Sequence, residues 1–254
     1  MNSDSLVIIP TYNERENISA IIHAVLDVAA HQFDVLIVDD NSPDGTAAIV
    51  EAMMAECPER IHLLKRAGKL GLGTAYIAGF KWALERHYEY IIEMDADFSH
   101  PVDKLPELQA TCASGGADVA VGSRYISGVN VVNWPMGRML MSYYASAYVR
   151  LITGMKVKDA TAGYVCYRRE VLQSINLDGI EFKGYAFQIE MKFTAHRMGF
   201  IIKEVPIVFV NRVLGTSKMN SSIFFEALWG VIKLRWDSIF NKSRFTRQLE
   251  ARRG

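Results

Sequence analysis

The sequence is poor in cysteine, has no excess of either charge and has no long apolar segment, and each of these absences excludes a class of protein. Cys57, Cys112 and Cys166 lie far apart among 254 residues, so no disulfide framework or metal-ligand spacing is visible, and a reducing compartment is expected. Lysine plus arginine and aspartate plus glutamate each number 28, which leaves no net field for nucleic acid. The sequence contains no run of about 18 uncharged apolar residues, so no transmembrane helix is predicted. We also expect no signal peptide before the first strand-like segment.

Two common nucleotide-binding motifs are missing. A Walker loop needs G-x-x-x-x-G-K followed by serine or threonine, which does not occur in the sequence. The segment AGKLGLGTA places its glycines at Gly68, Gly71 and Gly73, which is not the G-x-G-x-x-G spacing of dinucleotide-binding enzymes. It also follows the third predicted strand instead of the first. A dinucleotide-dependent oxidoreductase is therefore the weaker alternative.

Apolar strands alternate with helical patterns through the first half of the chain. Nearly continuous apolar strands favour a parallel sheet covered by helices on both faces, with ligands beyond the carboxyl ends of the strands. The second half is less regular, but GFIIKEVPIVFV favours paired strands and Ile223–Phe240 a final helix. The predicted strands of the first half are Leu6–Pro10, Val35–Val38, RIHLLKR, YIIEMD and ADVAVGSRY, and the helices include Thr46–Met54 and Leu105–Cys112.

Two carboxylates, Asp95 and Asp97, follow the apolar segment YIIEM. If the strand continues through them, residues two apart point to one side and the carboxylates converge. Converging carboxylates repel unless a cation lies between them or one is protonated. Mg²⁺ or Mn²⁺ accepts one or two protein carboxylates and takes substrate phosphate oxygens for other positions. The pair therefore indicates a metal–diphosphate site, and the alternative is a polar turn that caps the next helix.

Polar residues also follow the first two predicted strands. Asn13 and Glu14 come after the first, and Asp40 comes after the second. An acidic residue in the latter position binds a ribose or a base edge in other doubly wound nucleotide sites. The alternative is that Asp40, Ser42 and Asp44 only form turns.

Seven segments, in this order, carry a resemblance to a known family. They are VIIPTYNERENI, VDDNSPDGT, GKLGLGTAYIAGFKWA, MDADFSHP, VGSRY, GYAFQIEM and EVPIVFVNRVLGTSKM, and together they span Val7 to Met219. The chain thereby resembles the polyprenol- or dolichol-phosphate mannose synthases, which are inverting family-two glycosyltransferases. The resemblance implies an α/β, GT-A fold, with a Rossmann-like mixed sheet covered by helices on both faces and a C-terminal amphipathic helix. It also implies a catalytic domain over residues 1–220, followed by a helix and basic tail over residues 221–254.

The resemblance also implies GDP-mannose as the donor, a divalent metal and a set of site residues. Asp97 and Arg124 are expected to be catalytic, and Asp95 and Asp97 to hold Mg²⁺ or Mn²⁺. The positions that match the family's donor contacts are Pro10, Tyr12 and Glu14 for the nucleotide, Val38 and Asp40 for the nucleoside, Asp95, Ala96 and Asp97 for the metal and diphosphate, Arg124 for the sugar and phosphates, and Arg212 and Lys218 for a loop that closes over the diphosphate.

The implied acceptor is a polyprenyl phosphate, whose oxygen is already anionic near neutral pH. Such a nucleophile needs charge neutralisation and in-line placement more than a general base. Arg124 and Arg138 could supply both, although WPMGRML also indicates a helix start with a solvated arginine. Gln188 and Glu190 either position groups in the cleft or are structural. Ser99 and Val165 depart from the family pattern, at a third metal ligand and at an acceptor-side arginine respectively.

The segment SSIFFEALWGVIKLRWDSIF predicts how a lipid acceptor could be reached without a transmembrane helix. Its apolar residues cluster on one helical half, and Lys233, Arg235 and a basic tail follow. This pattern favours a helix lying in the membrane interface near anionic lipids, at the cytoplasmic face. The alternative is a helix packed on its own domain or on a partner. The apolar positions are Ile223, Phe224, Leu228, Val231, Ile232 and Trp236.

Two further functions stay open at this point. The acidic pair does not distinguish bases or sugars, so a UDP-sugar, such as glucose or an amino sugar, is an alternative donor. A nucleotide-binding subunit without activity is the alternative from another class. The intact acidic pair, together with Arg124, Arg212 and Lys218, argues against the latter. The sequence predicts no nucleic acid as ligand, and it does not determine whether the enzyme has a protein partner.

Overall fold

The computed structural model describes residues 3–29, 32–184, 186–211 and 221–246, and in the final helix the side chains from Trp229 onward. The strands are β1 (Ser5–Thr11), β2 (Phe33–Asp39), β3 (Ile61–Lys65), β4 (Tyr90–Glu93), β5 (Val119–Ser123), β6 (Val131–Val132), β7 (Val165–Arg168), β8 (Ile202–Pro206) and β9 (Phe209–Val210). The helices are α1 (Ile18–Val28), α2 (Thr46–Glu56), α3 (Leu72–Leu84), α4 (Leu105–Ala113), α5 (Met136–Thr153), α6 (Arg169–Ser174), α7 (Ala186–Arg197) and α8 (Ser221–Phe240).

A seven-stranded mixed sheet runs through the described chain in the order β3-β2-β1-β4-β7-β5-β8. β1 to β4 pair in parallel, as the alternation of strands and helices predicts. β7 lies antiparallel between β4 and β5, which makes the sheet mixed. The segments predicted as paired strands do not pair with each other, because β8 joins β5 in the large sheet and β9 joins β6 in a small second sheet.

The inner strands β1 and β2 are apolar on both faces because helices cover both faces of the sheet. In β1, Leu6 and Ile8 belong to one core cluster together with residues of α3 and α7. Val7 and Ile9 point the other way, into a second cluster with residues of α1, α2 and α4. α3 approaches the sheet closely at Gly79, where a Cβ would lie 2.8 Å from Cγ2 of Ile8.

The final helix α8 has two apolar faces instead of one. It packs on α5 and α7, and it buries Val231 and Leu234 with Phe193 in a third cluster. Ile232 and Trp236 point to solvent, so the prediction that Val231 shares their face is wrong. The helix packs on its own domain and still exposes apolar side chains. The side chains of Ile223, Phe224 and Leu228 lie outside those described, and the domain boundary at residue 220 stays a prediction.

None of the helices in the described ranges combines the length and apolar character needed to cross a bilayer. The carboxyl ends of β1, β2, β3 and β4 meet at one edge of the sheet, since these strands are parallel. The loops that follow these strands carry the residues described next.

Candidate active site

The loops after β1 and β2 are bound to each other by the side chains of the NSPDGT segment. The Asp39 carboxylate accepts hydrogen bonds from Thr11 Oγ1 (3.0 Å) and from Ser42 N (2.9 Å) and Oγ (2.6 Å). Ser42 Oγ in turn accepts one from Asn13 N (3.0 Å). Asp44 accepts from Thr46 N and Oγ1 at the start of α2. The turn interpretation is therefore correct for Ser42 and Asp44, which fix the shape of the nucleotide-side loops.

Asp40 has a different role from its neighbours, because its buried carboxylate faces a cation. Arg66 Nη1 lies 2.8 Å from Asp40 Oδ1, and Arg66 Nη2 donates to Thr74 Oγ1 (2.6 Å). Burial raises the pKa of Asp40, against the opposing charge of Arg66. Nearby, Lys69 Nζ lies 4.8 Å from the ring centroid of Tyr12, a cation–π contact. The structure thus brings Tyr12 and Asp40 to the same polar edge.

The remaining predicted nucleotide residues occupy this edge in different ways. Pro10 is half-buried near the end of β1, and Glu14 accepts a hydrogen bond from Asn17 Nδ2 (3.0 Å). Val38 is fully buried in the core under α3. Its side chain therefore cannot contact a ligand. The predicted contact of Val38 with the nucleoside could be made only by its backbone.

Asp95 and Asp97 lie in the loop after β4, because the strand ends at Glu93. The prediction that strand alternation makes them converge is therefore wrong, and the turn sets their directions. Asp95 N donates to His100 Nδ1 (3.1 Å), and Asp97 Oδ1 accepts from Ser99 N (3.1 Å). The two carboxylates are half-buried on either side of Ala96, which packs into the core.

The loop is strained at one residue and supported by another that the sequence reasoning missed. Phe98 has φ of 58°, a conformation that is unusual for a bulky side chain. His100 is buried, stacks on Tyr164 at 4.9 Å, and has Nε2 4.0 Å from Asp95 Oδ2. Burial lowers the pKa of His100, although the nearby aspartates oppose the shift. A neutral ring that accepts at Nδ1 carries its hydrogen on Nε2, toward Asp95.

Arg124 is held by a partner that the sequence did not predict. Its Nε and Nη2 donate to the two oxygens of Asp159 at 2.7 Å each, and its backbone N donates to the same carboxylate (3.0 Å). Nη2 also reaches Thr161 Oγ1 (3.0 Å). Burial alone would raise the pKa of Asp159, but the charge and hydrogen bonds of Arg124 hold it below its ordinary value. A bidentate pair of this kind fixes the plane of the guanidinium group.

Arg138 lies close to Arg124 through a shared aromatic ring. The guanidinium carbon of Arg138 is 4.2 Å from the Trp134 ring centroid, and that of Arg124 is 5.5 Å from it. Arg138 also donates to Asn211 Oδ1 (3.1 Å). α5 begins at Met136, so the helix-start interpretation is correct, but the arginine is half-buried against Trp134 and is not simply solvated.

Helix α7 buries three long polar side chains, two of them on one face and the third on another. Gln188, Glu190 and Lys192 are all buried, which supports the structural interpretation of the first two. Lys192 Nζ donates to the Ala162 carbonyl (2.6 Å), and burial lowers the pKa of Lys192 to about 8. Arg212 and Lys218, the predicted closing-loop residues, lie outside the described residues.

The residues present fit a divalent metal that is shared with a substrate. Asp95 and Asp97 supply two carboxylates, the hard oxygen ligands that Mg²⁺ and Mn²⁺ prefer. Ser99 is buried, and its hydroxyl has no hydrogen-bond partner within the described ranges. Within the same ranges, no group of three or more histidine, cysteine, aspartate or glutamate side chains is arranged to bind one metal ion. Two carboxylates with substrate phosphate oxygens are the usual arrangement for such a metal.

Comparison with known proteins gives the family. The sequence matches Glycosyl transferase family 2 over residues 6–175. The chain belongs to this family. It is 47% identical over 232 residues to a polyprenol monophosphomannose synthase of Mycolicibacterium smegmatis, across 89% of this chain and 87% of that relative. It is 46% identical over 239 residues to an undecaprenyl-phosphate mannosyltransferase of Micrococcus luteus, across 92% of this chain and 96% of that relative.

A solved structure with the same fold is glucosyl-3-phosphoglycerate synthase from Mycobacterium tuberculosis, crystallised with Mn²⁺, UDP-glucose and phosphoglyceric acid. The TM-score is 0.65 at 18% identity, across 91% of this chain and 79% of that chain. The predicted GT-A fold and the resemblance to the mannose synthases are thereby confirmed. The chain is a glycosyltransferase, and the oxidoreductase and inactive-subunit alternatives are set aside.

Proposed function

We propose that this glycosyltransferase transfers mannose from GDP-mannose to a polyprenyl phosphate, with inversion at the anomeric carbon. One observation carries the proposal: the chain is 46–47% identical, over about nine-tenths of its length, to two enzymes named for mannose transfer to such lipids. The site agrees with this proposal: Asp95 and Asp97 follow β4 and Arg124 follows β5, at the carboxyl ends of these strands. Arg138, on α5, contacts the same Trp134 ring as Arg124.

On the donor side, Asp40 and Tyr12 would bind the nucleoside at the edge formed by β1 and β2. Asp40 is ion-paired with Arg66, so its carboxylate is held in one direction and accepts from a base or ribose without moving. Arg212 and Lys218 are proposed to add positive charge at the diphosphate, as their place in the family motif implies.

Asp95 and Asp97 are proposed to hold Mg²⁺ or Mn²⁺ on the diphosphate. When bound, the ion neutralises the charge that develops on the leaving nucleoside diphosphate. The protein's part is to keep the two carboxylates in place before substrate arrives. It does so through the hydrogen bonds from Asp95 N to His100 and from Ser99 N to Asp97.

On the acceptor side, the phosphate of the lipid is proposed to bind at Arg124 and Arg138. One phosphate oxygen attacks the anomeric carbon as the bond from that carbon to the diphosphate oxygen breaks on the opposite face. The nucleophile is already ionised, so no side chain needs to remove a proton. The arginines instead reduce repulsion between acceptor and donor phosphates and set the line of attack.

The lipid tail requires that the enzyme work at a membrane surface, and we propose the cytoplasmic face. Two packed helices support contact with a membrane, because α5 exposes apolar side chains along its length and α8 exposes them from Trp229 onward. Indole rings with one polar group suit the boundary between headgroups and acyl chains. The exposed side chains are Met136, Leu140, Met141, Tyr143, Tyr144 and Leu151 on α5, and Trp229, Ile232, Trp236, Ile239 and Phe240 on the described part of α8.

Turnover with separate donors tests the proposal. Purified protein is incubated with a polyprenyl phosphate, Mg²⁺ and one labelled nucleotide sugar at a time: GDP-mannose, UDP-glucose or a UDP-amino sugar. Labelled lipid is expected from GDP-mannose, with a β linkage because the donor is α-linked. Label transferred from a UDP-sugar alone would contradict the donor assignment. If no donor transfers label to the lipid, so that all label stays in the aqueous phase, the acceptor assignment would be contradicted.

A further inference from the structure

The carboxylate of Glu190 organises a segment that lies next to the glycine-rich loop. Glu190 is completely buried on α7, and its oxygens accept hydrogen bonds from the backbone N of Glu181 (3.0 Å) and of Phe182 (2.9 Å). We call residues 180–184 the strap. A buried carboxylate that accepts several backbone N–H groups holds the chain that carries them in one conformation, because leaving those groups unpaired is costly.

The C-terminal segment after α8 reaches the same carboxylate. Arg244, in the 3₁₀ turn Lys242–Phe245, donates to Glu190 through Nη2, and its Nη1 lies 3.0 Å from Glu181 Oε1 and 3.1 Å from Asp237 Oδ2. Lys233 of α8 also pairs with Glu181. The end of α8 is therefore bound to the strap, and two of the cations predicted to face anionic lipids are instead engaged with acids of the protein.

The strap in turn holds the glycine-rich loop, residues 68–74, which runs into the first turn of α3. The carbonyl of Lys183 accepts a hydrogen bond from Gly73 N (2.8 Å). Gly71 has φ of +107°, and a Cβ there would lie 3.2 Å from the Lys183 carbonyl oxygen. The two backbones therefore lie too close for a side chain between them.

The glycine-rich loop is connected to Asp40 through Thr74 and Arg66. Thr74 Oγ1 donates to the Gly71 carbonyl (2.7 Å) and accepts from Arg66 Nη2 (2.6 Å). Arg66 Nη1 lies 2.8 Å from Asp40. Each contact from Glu190 to Asp40 is thus a hydrogen bond, an ion pair or a backbone approach between named atoms.

We propose that Glu190 is a positioning residue for the donor nucleotide. Arg244 of the C-terminal segment holds the Glu190 carboxylate in place. Glu190 fixes the strap, the strap fixes the loop at Gly71 and Gly73, and the loop fixes Arg66 against Asp40. This inference rests on the proposed function only in placing the nucleotide at Asp40. The C-terminal segment would then serve donor binding as well as the proposed membrane contact. A change at Arg244 is expected to alter donor affinity, although Arg244 lies about 25 residues beyond the last donor motif of the sequence.

Nucleotide affinity, measured by calorimetry on the full chain with GDP and Mg²⁺, tests the proposal without any acceptor. Arg244→Gln is expected to weaken GDP binding about tenfold, and Glu190→Gln by at least as much. Lys81→Gln is the matched control, since it breaks an exposed ion pair with Asp178 beside the strap but touches none of the contacts above. The control is expected to bind GDP as the parent does. Circular dichroism and urea unfolding report whether each variant is folded.

A double-mutant cycle distinguishes positioning from a general loss of stability. In an Arg66→Gln background the contact to Asp40 is already broken, so adding Arg244→Gln is expected to change GDP affinity little. Effects that add in full, or an unchanged GDP affinity in folded Arg244→Gln, would overturn the proposal. If Glu190→Gln does not fold, the Arg244 and Arg66 variants still decide it. If UDP binds in place of GDP, the donor assignment fails, and the same cycle measured with UDP still tests the relay.

Discussion

The Asp97 carboxylate is held in place by a turn in which Ser99 N donates to it. Asp97 is only half-buried, so a ligand can reach it. Asp97→Ala removes a carboxylate that we propose binds the metal, and it leaves the core untouched. We expect mannose transfer to fall by at least about 100-fold, because the leaving diphosphate loses its charge stabilisation. Circular dichroism should be unchanged. Asp103→Ala removes an exposed carboxylate a few residues along and should keep the parent rate. A near-normal rate in Asp97→Ala would contradict the metal assignment.

Asp159 offers a test of how Arg124 is positioned. Asp159→Asn keeps the shape but removes the charge from a buried pair, and we expect it to cost about 3 kcal/mol of unfolding free energy at pH 7. Transfer at saturating donor should fall about 100-fold, since the guanidinium group loses its orientation. Chemical denaturation and initial rates measure the two effects. An active, equally stable variant would show that Arg124 does not depend on Asp159.

The pH dependence of this pair follows from the direction of its shift. The pKa of Asp159 in the folded chain lies below its ordinary value of 3.8, so the unfolded chain binds more protons in that range. The stability it contributes is therefore complete above pH 3.8 and is lost as the pH falls through the lower folded pKa. The difference in unfolding free energy between the parent and Asp159→Asn should be constant from pH 5 to 7 and shrink only in strong acid. A difference that already shrinks near pH 6 would contradict the shift.

Residues adjacent in sequence were easier to predict than partners supplied by tertiary contacts. Asp40, Asp95 and Asp97 stand out because acids follow apolar strands. Asp159 meets Arg124 across 35 residues, and nothing in the local pattern of either residue indicates the other. His100 could have been found, because it belongs to the MDADFSHP segment. The geometry assumed for the aspartates was wrong because the strand ends before them.

At the scale of elements, the glycine-rich loop depends on one backbone conformation. Gly71→Ala would place a methyl group against Lys183 at positive φ, and we expect a loss of about 1–3 kcal/mol in unfolding free energy together with weaker GDP binding. Gly68→Ala is the matched control, because Gly68 has no atom within 4 Å of an added Cβ and no positive φ. Urea unfolding of both variants measures the difference. Equal stability of the two would show that the strap does not approach the loop as described.

The elements of the first half were predictable because each carries a complete local signal. β1 to β4 are mainly apolar and are separated by helices, which indicates a covered parallel sheet. β7 has only four residues, and an antiparallel strand between β4 and β5 depends on long-range pairing that no local pattern encodes. α8 was misread in part because a helix with apolar residues on both sides has no single hydrophobic face.

At the scale of the whole molecule, the exposed apolar faces of α5 and α8 are expected to contact lipid. Replacing both Trp229 and Trp236 by serine should lower binding to anionic vesicles by at least about tenfold, because two interfacial indoles are lost. Ile201→Ser, which removes an exposed apolar side chain elsewhere, should bind vesicles as the parent does. Co-sedimentation with vesicles measures both. Parent-like binding of the tryptophan variant would contradict the membrane proposal.

A companion assay separates membrane contact from chemistry. Transfer to a short, water-soluble isoprenyl phosphate needs no bilayer, so the double tryptophan variant should keep its rate with that acceptor and lose it with vesicle-bound polyprenyl phosphate. A loss with both acceptors would indicate damage to the site instead.

The most direct test of the account is the position of the metal. Crystals of the full chain soaked with Mn²⁺ and GDP can be measured at the manganese absorption edge, where anomalous scattering locates the ion without ambiguity. We predict a single strong peak in direct coordination with the carboxylates after β4, Asp97 above all, and with both phosphates of GDP. A manganese ion bound by GDP alone, with Asp95 and Asp97 turned away from it, would contradict the account.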